Sequence, residues 1–416
     1  MKKYMVYPTQ MDTQSLGYLR VRTRSQEVLP IENATVRIFS PSQPEVVLEE
    51  FKTNNIGLTD NIPLAAPPID YSLAPSTVQP YSNYDIEISA PGYESAYIAD
   101  VEILPNVYAV QENTLNPAPE PRENVYVISP HTLYAEYPPK IPEDEIKPVS
   151  ETGEIVLSRV VVPEFVIVHD GPPASNATNH YVTFQDYIKN VASSEIYATW
   201  PEASIYANVL AILSFTLNRV YTEWYRNQGY NFTITSSTAF DQKWINGRNI
   251  FENISRIVDS VFVNYLSRPN VRQPILTQYC DGNRVQCPDW LSQWGSKTLG
   301  DSGYSAIEIL RYYYGESMYI NTAVQVSGVP SSWPGYDLGI GASGDNVRTI
   351  QSQLNTISEA FPLIPKVAVD GVYGPLTAEA VRTFQGIFDL PQTGIVDIAT
   401  WYRISRIYVG VTRIAE

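Results

Sequence analysis

The sequence predicts a multidomain protein with an N-terminal all-β sandwich, a central α+β unit and a C-terminal three-helix unit. Apolar and polar residues alternate with a period of two in YLRVRTR and TVRIFS near the start, which indicates half-buried strands. Apolar residues later recur at helical spacing, and a segment rich in Pro and Glu separates the two patterns. A chain of 416 residues is also long for a single domain. We place the three units at residues 1–116, 156–325 and 335–416, with a linker at residues 117–155.

The net charge of −16 and the pI of about 4.7 argue against nucleic acid or an anionic membrane as the main partner. A protein that binds phosphate groups needs a basic face. No run of about 18 apolar residues is present, so we expect no transmembrane helix. The first residues, MKKYMVYPTQ, contain two lysines but no apolar run, so we also expect no standard secretory signal.

The first unit contains a clear hairpin signal. The segment YDIEISAPGYESAYIADVEI predicts a strand, a tight turn at Pro91 and Gly92, and a returning strand. Together with ATVRI and GLT before it, this pattern resembles the carboxypeptidase-regulatory-like sandwich over about a hundred residues. A small β-sandwich that packs against or presents the rest of the chain is the expected role of this unit.

The linker holds NPAPEPRENV and EYPPKIPEDEIKPVSETGE, and we expect it to be a semi-rigid extended segment. It is followed by IVLSRVVVPEFVIVHDG, whose β-branched run predicts one buried strand. Because Ser158 and Arg159 lie where the linker meets that strand, we expect this point to be accessible to a protease. The N-terminal unit is then a candidate pro-region that covers the functional cleft until the linker is cut.

Helices are predicted at several places after residue 200. Apolar residues at helical spacing from Ala203 to Trp224 predict a long helix, with Pro201 in its first turn. Further helices are predicted over residues 248–266 and 305–313, and over residues 345–359, 375–388 and 398–407 in the last unit.

The last unit resembles the small three-helix peptidoglycan-binding domain. The resemblance rests on GASGDNVRTIQSQLN, VDGVYGPLTAEAVRTFQGIFDLP and TGIVDIATW, which span about seventy residues. It implies that the protein binds cell-wall glycan or its peptide stems. Phe384, Leu390 and Trp401 are expected in the core of the domain.

The central unit resembles the stage II sporulation protein D family of peptidoglycan lytic transglycosylases. The residues that resemble the family are Glu195 with Trp200 and the helix after them, residues 236–242, and LSQWGSKTLGDSGYSAIEILRYYYG. The helix after Glu195 departs from the family, because YANV stands where the family has an Ala-rich run. The resemblance implies that Glu195 is the catalytic acid.

The chemistry of a lytic transglycosylase needs one carboxyl group. That group protonates the leaving glycosidic oxygen and then accepts a proton from the sugar's own C6 hydroxyl, so no second carboxylate is needed. Apolar neighbours such as Ile196, Tyr197 and Trp200 would raise the pKa of Glu195. Asp241 is the alternative acid. We expect substrate contacts from a set of hydroxyl, amide and carboxyl side chains: Ser236, Ser237, Gln242, Gln293, Tyr304 and Asp241.

The cysteine and histidine residues give no pattern of metal ligands. Cys280 and Cys287 flank a turn, and a disulfide or two free thiols are both expected ahead of a metal site. His131, His169 and His180 show no zinc-site spacing, which disfavours a zinc amidase. We therefore expect no metal and no cofactor.

The order of the units resembles the clostridial spore cortex-lytic (SleC-like) enzymes over nearly the whole chain. This resemblance implies lysis of spore cortex glycan during germination, a location in the spore cortex or coat, and activation by a germination protease. Two other functions stay open: a non-catalytic spore-wall or coat protein that binds peptidoglycan, and an N-acetylmuramoyl-L-alanine amidase that cuts the peptide stem.

Overall fold

The computed structural model describes residues 15–26, 28–148, 157 and 159–412. The first part is a β-sandwich. Its strands are β1 (Ser15–Arg24), β2 (Thr35–Ser40), β3 (Gln43–Lys52), β4 (Ile62–Ala66), β5 (Ser82–Ser89), β6 (Ser95–Ile103), β7 (Tyr108–Thr114) and β8 (Glu123–Val127). A 3-10 helix, Ile69–Ser72, follows β4.

The sandwich core comes from the alternation that the sequence shows. One sheet has the order β3-β2-β5-β6-β8, and the predicted hairpin is its antiparallel β5–β6 pair. Alternate residues of β2 and β5, such as Val36, Ile38, Ile86 and Ile88, are fully buried. In the second sheet β1 pairs with β4 antiparallel and with β7 parallel, so both sheets of this part are mixed.

The middle part mixes short strands and helices. Its strands are β9 (Val161–Val162), β10 (Phe165–His169), β11 (Asn179–Thr183), β12 (Ile234–Thr235), β13 (Ile250–Phe251), β14 (Asn264–Ser267), β15 (Tyr279–Cys280), β16 (Leu291–Ser292), β17 (Tyr319–Thr322) and β18 (Gln325–Val326). Its helices are α1 (Phe184–Glu195), α2 (Glu202–Tyr221), α3 (Glu252–Val261), α4 (Gln293–Asp301) and α5 (Ala306–Tyr314), with a 3-10 turn at Arg226–Gln228.

Helix α2 is the central element of this part. Pro201 is its N-cap residue, next to the predicted position, and most of its side chains are buried on all sides. Its length and apolar composition would allow it to cross a membrane, but 83% of the apolar window is buried inside the protein. It therefore has the surroundings of a core helix, against which α1, α3, α4 and α5 pack.

Two predicted elements are interrupted. The helix predicted over residues 248–266 is wrong in extent, because the chain forms β13, then α3, then β14. The continuous strand predicted before residue 170 is also wrong, because Pro163 separates β9 from β10 and cannot donate a ladder hydrogen bond. Residue Ser158 of the expected cut site lies outside the described residues.

Strand β13 connects the first two parts. Ile250 pairs with Val110 and Phe251 with Ala109, so β13 extends the sheet of the sandwich to the order β13-β7-β1-β4. Gln111 also donates to the carbonyl of Gly247 at 3.1 Å. The sandwich and the middle part therefore share one sheet.

The linker differs from the extended segment that its composition predicts. β8 lies within it, and residues 129–148, which we call the strap, pack along the middle part. Tyr137, Lys140 and Lys147 of the strap are all buried. A segment of this composition cannot form a core of its own, so the strap is buried only by its contacts with the middle part.

The last part contains three helices close to the predicted positions: α6 (Asp345–Ala360), α7 (Pro375–Ile387) and α8 (Ile398–Thr412). Two buried glutamines hold the turns between them. Gln351 accepts from the N–H of Gly371, and Gln385 accepts from the N–H of Gly394. Phe384, Leu390 and Trp401 are buried, as expected.

Candidate functional site

Glu195 is the last residue of α1, a helix that the sequence analysis did not predict. Its side chain is completely buried. Oε1 accepts a hydrogen bond from the backbone N–H of Lys243 at 2.7 Å, and Oε2 accepts one from the hydroxyl of Tyr279 at 2.5 Å. Three distant segments thus meet at one carboxyl group.

Burial raises the pKa of the Glu195 carboxyl above its ordinary value. The ammonium of Lys140 and the hydrogen bonds from Tyr279 and Lys243 act in the opposite direction but do not cancel the effect of burial. The position at the C-terminal end of α1 also disfavours a negative charge. This environment favours the protonated form that a general acid requires.

Aromatic side chains just after Glu195 in the sequence form one cluster, which we call the aromatic wall. The ring centroid of Trp200 lies 5.0 Å from that of Trp294 and 5.9 Å from that of Tyr197. Ile196, Tyr197 and Trp200 are all buried, in accord with the apolar surroundings expected from the sequence. The wall includes Trp294 of the SQWGS block, so this block and the segment after Glu195 lie together.

Asp241, the alternative acid, is held on both oxygens. Oδ1 accepts from Arg219 Nε at 2.8 Å, and Oδ2 accepts from the hydroxyls of Tyr225 and Thr235 at 2.6 and 2.7 Å. Its side chain and that of Arg219 have no exposed surface. Asp241 fixes the 236–242 loop to α2, and its geometry does not fit an acid that contacts substrate.

Gln242 is likewise occupied by the protein. Its Oε1 accepts from Tyr187 at 3.1 Å and from Thr216 at 2.9 Å, and its Nε2 donates to the carbonyl of Ile212 at 3.2 Å. The expected substrate contact is therefore replaced by contacts with α1 and α2. The loop still serves the site, because the next residue, Lys243, donates its N–H to Glu195.

The other expected substrate residues differ in availability. Gln293 is fully buried, and neither its Oε1 nor its Nε2 has a hydrogen-bond partner. Ser236 donates to Asp170 at 2.9 Å, and Ser237 is half-buried. Tyr304 is 42% exposed beyond the end of α4. Of this set, Tyr304 is the most exposed, whereas the unpaired amide atoms of Gln293 have no surface that a sugar could reach in this arrangement.

Gln293 is tied to Glu195 through two short strands. Tyr279 of β15 pairs with Leu291 of β16, two residues before Gln293. The Tyr279 hydroxyl also donates a hydrogen bond to Glu195. The pairing of β15 with β16 therefore fixes the position of Gln293 relative to Glu195.

Two residues at the site come from the strap and were missed by sequence reasoning. Lys140 is buried with its ammonium 4.6 Å from the ring centroid of Tyr279, and it donates to the carbonyl of Asp241. Tyr137 is buried with an unpartnered hydroxyl, and the charge of Glu195 contributes, after burial, to its raised pKa. Neither residue belongs to a motif, and a Pro-rich context gave no signal of burial.

Titratable ligand groups do not assemble into a metal site within the described residues. His131 is fully buried, and burial lowers its pKa well below the ordinary value. His169 is hydrogen-bonded to Asn179 and Ser175 at 2.8 and 3.1 Å. Cys280 and Cys287 form a disulfide with a Cα–Cα distance of 5.6 Å, which resolves the two alternatives left by the sequence.

Comparison with protein families identifies the last part. Residues 343–404 match the family model of the peptidoglycan binding domain. This part is therefore a peptidoglycan-binding domain, which gives the protein a cell-wall partner. No curated protein matches the chain.

Three solved structures resemble parts of the chain. The N-terminal domain of SleB is 30% identical, with 18% of this chain and 99% of that one covered and a TM-score of 0.17. The Bacillus anthracis TIE protein is 13% identical over 25% of this chain and 17% of that one, with a TM-score of 0.18. The 3-chlorocatechol 1,2-dioxygenase from Rhodococcus opacus 1CP is 14% identical over 27% and 64%, with a TM-score of 0.20.

Proposed function

We propose that the protein is a peptidoglycan lytic transglycosylase that cleaves spore cortex glycan with Glu195 as its acid and base. The observation that carries the proposal is the buried Glu195 carboxyl, whose pKa burial raises, in a chain that also holds a peptidoglycan-binding domain. The spore and the cortex enter through the resemblance of the whole chain to the clostridial cortex-lytic enzymes.

Each step of the reaction can be carried by Glu195. The protonated carboxyl donates its proton to the glycosidic oxygen as the bond to the anomeric carbon breaks. The resulting carboxylate then accepts the proton of the C6 hydroxyl as that oxygen bonds to the anomeric carbon, which yields a 1,6-anhydro end. This reaction uses one carboxyl group, and Asp241 is engaged by Arg219 and Tyr225 instead of facing substrate.

The described arrangement supports an inactive precursor. Glu195 is fully buried, and the strap residue Lys140 lies close enough to lower its pKa in opposition to burial. The 3-10 helix of the sandwich also contacts the aromatic wall, since Trp200 donates to the carbonyl of Ser72 at 2.9 Å. In this proposal the strap and the sandwich together are the pro-region, which covers Glu195 until the chain is cut near Arg159.

The activity is tested by mass spectrometry of cortex digested by the strap-released protein. By this we mean protein cut near Arg159 from which the strap and the sandwich have dissociated. Anhydro-muramic ends are expected, whereas free stem peptides would identify an amidase and unchanged glycan a binding protein. Glu195→Gln should lower the rate by about 10²- to 10⁴-fold while the protein still binds peptidoglycan. Anhydro ends formed at the original rate by this variant would refute the assignment of Glu195.

A further inference from the structure

A second group of reactive side chains lies in the hairpin of β10 and β11. Ser175 is exposed in the loop between the two strands. Its Oγ lies 3.1 Å from Nε2 of His169, the last residue of β10. Nδ1 of His169 lies 2.8 Å from Oδ1 of Asn179, the first residue of β11. We call these side chains the Ser175 triad, because they correspond to a nucleophile, its base and the group that orients the base.

The hydrogen bonds of the triad fix which nitrogen of His169 carries the proton. Asn179 donates through Nδ2 to Oδ1 of Asn231 at 3.0 Å, so the oxygen of its amide faces His169 and can only accept. Nδ1 of the neutral imidazole is therefore the protonated nitrogen, and Nε2 has the free lone pair. Nε2 is the atom that faces Ser175, as a general base for the serine hydroxyl requires.

The backbone holds the histidine in place and leaves the serine accessible. His169 and Asn179 are directly paired residues of the antiparallel β10–β11 ladder. His169 is 6% exposed, and its ring stacks on Phe232 at a centroid distance of 4.6 Å. A Cβ at Gly171 would lie 2.6 Å from Oγ of Ser175, so the glycine leaves the room that the hydroxyl occupies. The base is thus buried and fixed, whereas the residue that carries the nucleophile is open to solvent.

The hydroxyl of Ser175 has two acceptors within reach. It donates to the carbonyl of Pro172 at 2.7 Å, and rotation about the Cβ–Oγ bond turns the proton towards Nε2 of His169. The backbone N–H of Asn176, the next residue, donates to no acceptor within the part of the chain that the structure describes. This N–H can therefore donate to an oxyanion that forms at Ser175.

We propose that the Ser175 triad is a second catalytic site, which hydrolyses small acyl esters carried by the glycan. Oγ of Ser175 bonds to the acyl carbon as Nε2 of His169 accepts the hydroxyl proton, and that proton passes to the alcohol oxygen as the ester bond breaks. Water then adds to the acyl–serine, its proton passes through Nε2 to Oγ, and the carboxylic acid leaves. The net reaction converts ester and water into alcohol and acid, with no other co-reactant.

Two observations name the substrate class. Asn179 is neutral and gives the imidazolium of His169 no opposing charge, which favours esters, because an alkoxide leaves more readily than the amine of an amide. The chain also carries a peptidoglycan-binding domain, so the ester is one on the glycan. This second argument rests on the proposed function, since the transglycosylase needs a free C6 hydroxyl and an acyl ester at that oxygen would block the anhydro ring. Hydrolysis at the Ser175 triad would expose the hydroxyl that Glu195 deprotonates.

The test is labelling of the full chain with a fluorophosphonate probe, together with hydrolysis of p-nitrophenyl acetate. Mass spectrometry should find one phosphonylated peptide, which carries Ser175, and the esterase activity should be lost on labelling. Ser175→Ala should lower the rate of hydrolysis about 10²-fold or more. Ser302→Ala is the matched control, because Ser302 is exposed and donates to the carbonyl of Thr298 but is not hydrogen-bonded to a histidine. This control should hydrolyse the ester like the parent.

A second variant separates catalysis from folding. In Ser175→Cys the new thiol faces Nε2 of His169, so iodoacetamide should alkylate it about tenfold faster at pH 7 than the thiol of Ser302→Cys. The two native cysteines form a disulfide and do not react without a reductant. Circular dichroism establishes that each variant is folded.

The proposal is overturned if the probe labels no residue or a residue other than Ser175. Equal rates of p-nitrophenyl acetate hydrolysis by the parent and folded Ser175→Ala would overturn it as well. Release of acetate from O-acetylated peptidoglycan tests the substrate class, and its absence in a parent that hydrolyses p-nitrophenyl acetate would exclude the glycan ester. None of these measurements needs cleavage of the glycan, so they test the Ser175 triad even if Glu195 is not the acid.

Discussion

The hydroxyl of Tyr279 lies 2.5 Å from Oε2 of Glu195, and both side chains are buried. Burial and the neighbouring charge of Glu195 raise the pKa of Tyr279 well above its ordinary value, so the phenol stays a donor. The proposed acid is thereby anchored to β15, next to the disulfide of Cys280.

Tyr279→Phe should move the alkaline limb of the pH–rate profile of the strap-released protein to higher pH. The lost hydrogen bond favoured the charged form, so its removal raises the pKa of Glu195 further. A general acid works below its pKa, and the expected displacement is about one pH unit. Tyr187→Phe removes an equally buried hydroxyl that bonds Gln242, and it should leave the limb in place. If the alkaline limb of Tyr279→Phe stayed in place, the group that acts as general acid would not be the one that Tyr279 contacts.

A cut near Arg159 should increase the rate of cortex lysis once the strap dissociates, because Glu195 is completely buried while the strap is in place. Ion pairs hold the strap to the middle part: Glu143 bonds Arg219, and Glu145 bonds Arg268 through two contacts of 2.6 and 2.7 Å. Arg268→Gln should therefore speed activation after the cut, as measured by release of soluble glycan. Arg382→Gln removes an exposed pair in the peptidoglycan-binding domain and serves as the control. Equal rates for cut and uncut protein would contradict an occluding role.

Asp241→Asn should destabilise the protein by about 3–5 kcal/mol, because it leaves the buried guanidinium of Arg219 with one fewer charge partner. The midpoint of urea unfolding, followed by circular dichroism, measures the change. Glu379→Gln alters an exposed pair and should leave the midpoint almost unchanged. A neutral effect of Asp241→Asn would return Asp241 to the candidates for substrate contact.

Acid should loosen the docking of α8. Burial would raise the pKa of Asp186 and of Asp259, but Arg406 and the Lys189–Arg403 pair hold these pKa values below the ordinary range. A depressed pKa gives stability that is present above the unfolded value, about 3.9, and is lost as the pH falls through the folded value. Hydrogen exchange in α8 should therefore be unchanged from pH 7 to 5 and increase below about pH 4, beyond the intrinsic pH effect. Arg406→Gln should speed exchange in α8 already at pH 7 and reduce the further increase in acid, because the pKa of Asp186 is then less depressed.

Patterns of local sequence predicted much of the fold. The β5–β6 hairpin, α2, α5 and the three C-terminal helices lie close to their predicted positions, because turn residues and apolar periodicity are local signals. The Ser305–Glu308 capping box at the start of α5 is another such signal.

The surroundings of Glu195 could not be predicted in the same way. Its partners come from residues 48 and 84 positions away, at Lys243 and Tyr279. Lys140 comes from a Pro-rich segment whose composition indicates exposure, and only tertiary contacts bury it. Asp241 and Gln242 are residue types suited to sugar binding, but their side chains instead form hydrogen bonds with Arg219 and Ile212 of α2.

Because β13 pairs with the sandwich, cleavage of the backbone and dissociation of the N-terminal fragment are two separate events. Cutting the backbone alters covalent connectivity, but the ladder of Ile250 and Phe251 against Val110 and Ala109 remains closed. The severed protein is therefore first a two-chain complex, whose lifetime follows a dissociation rate and whose population depends on dilution. Free N-terminal fragment added in excess would then act as an inhibitor in trans.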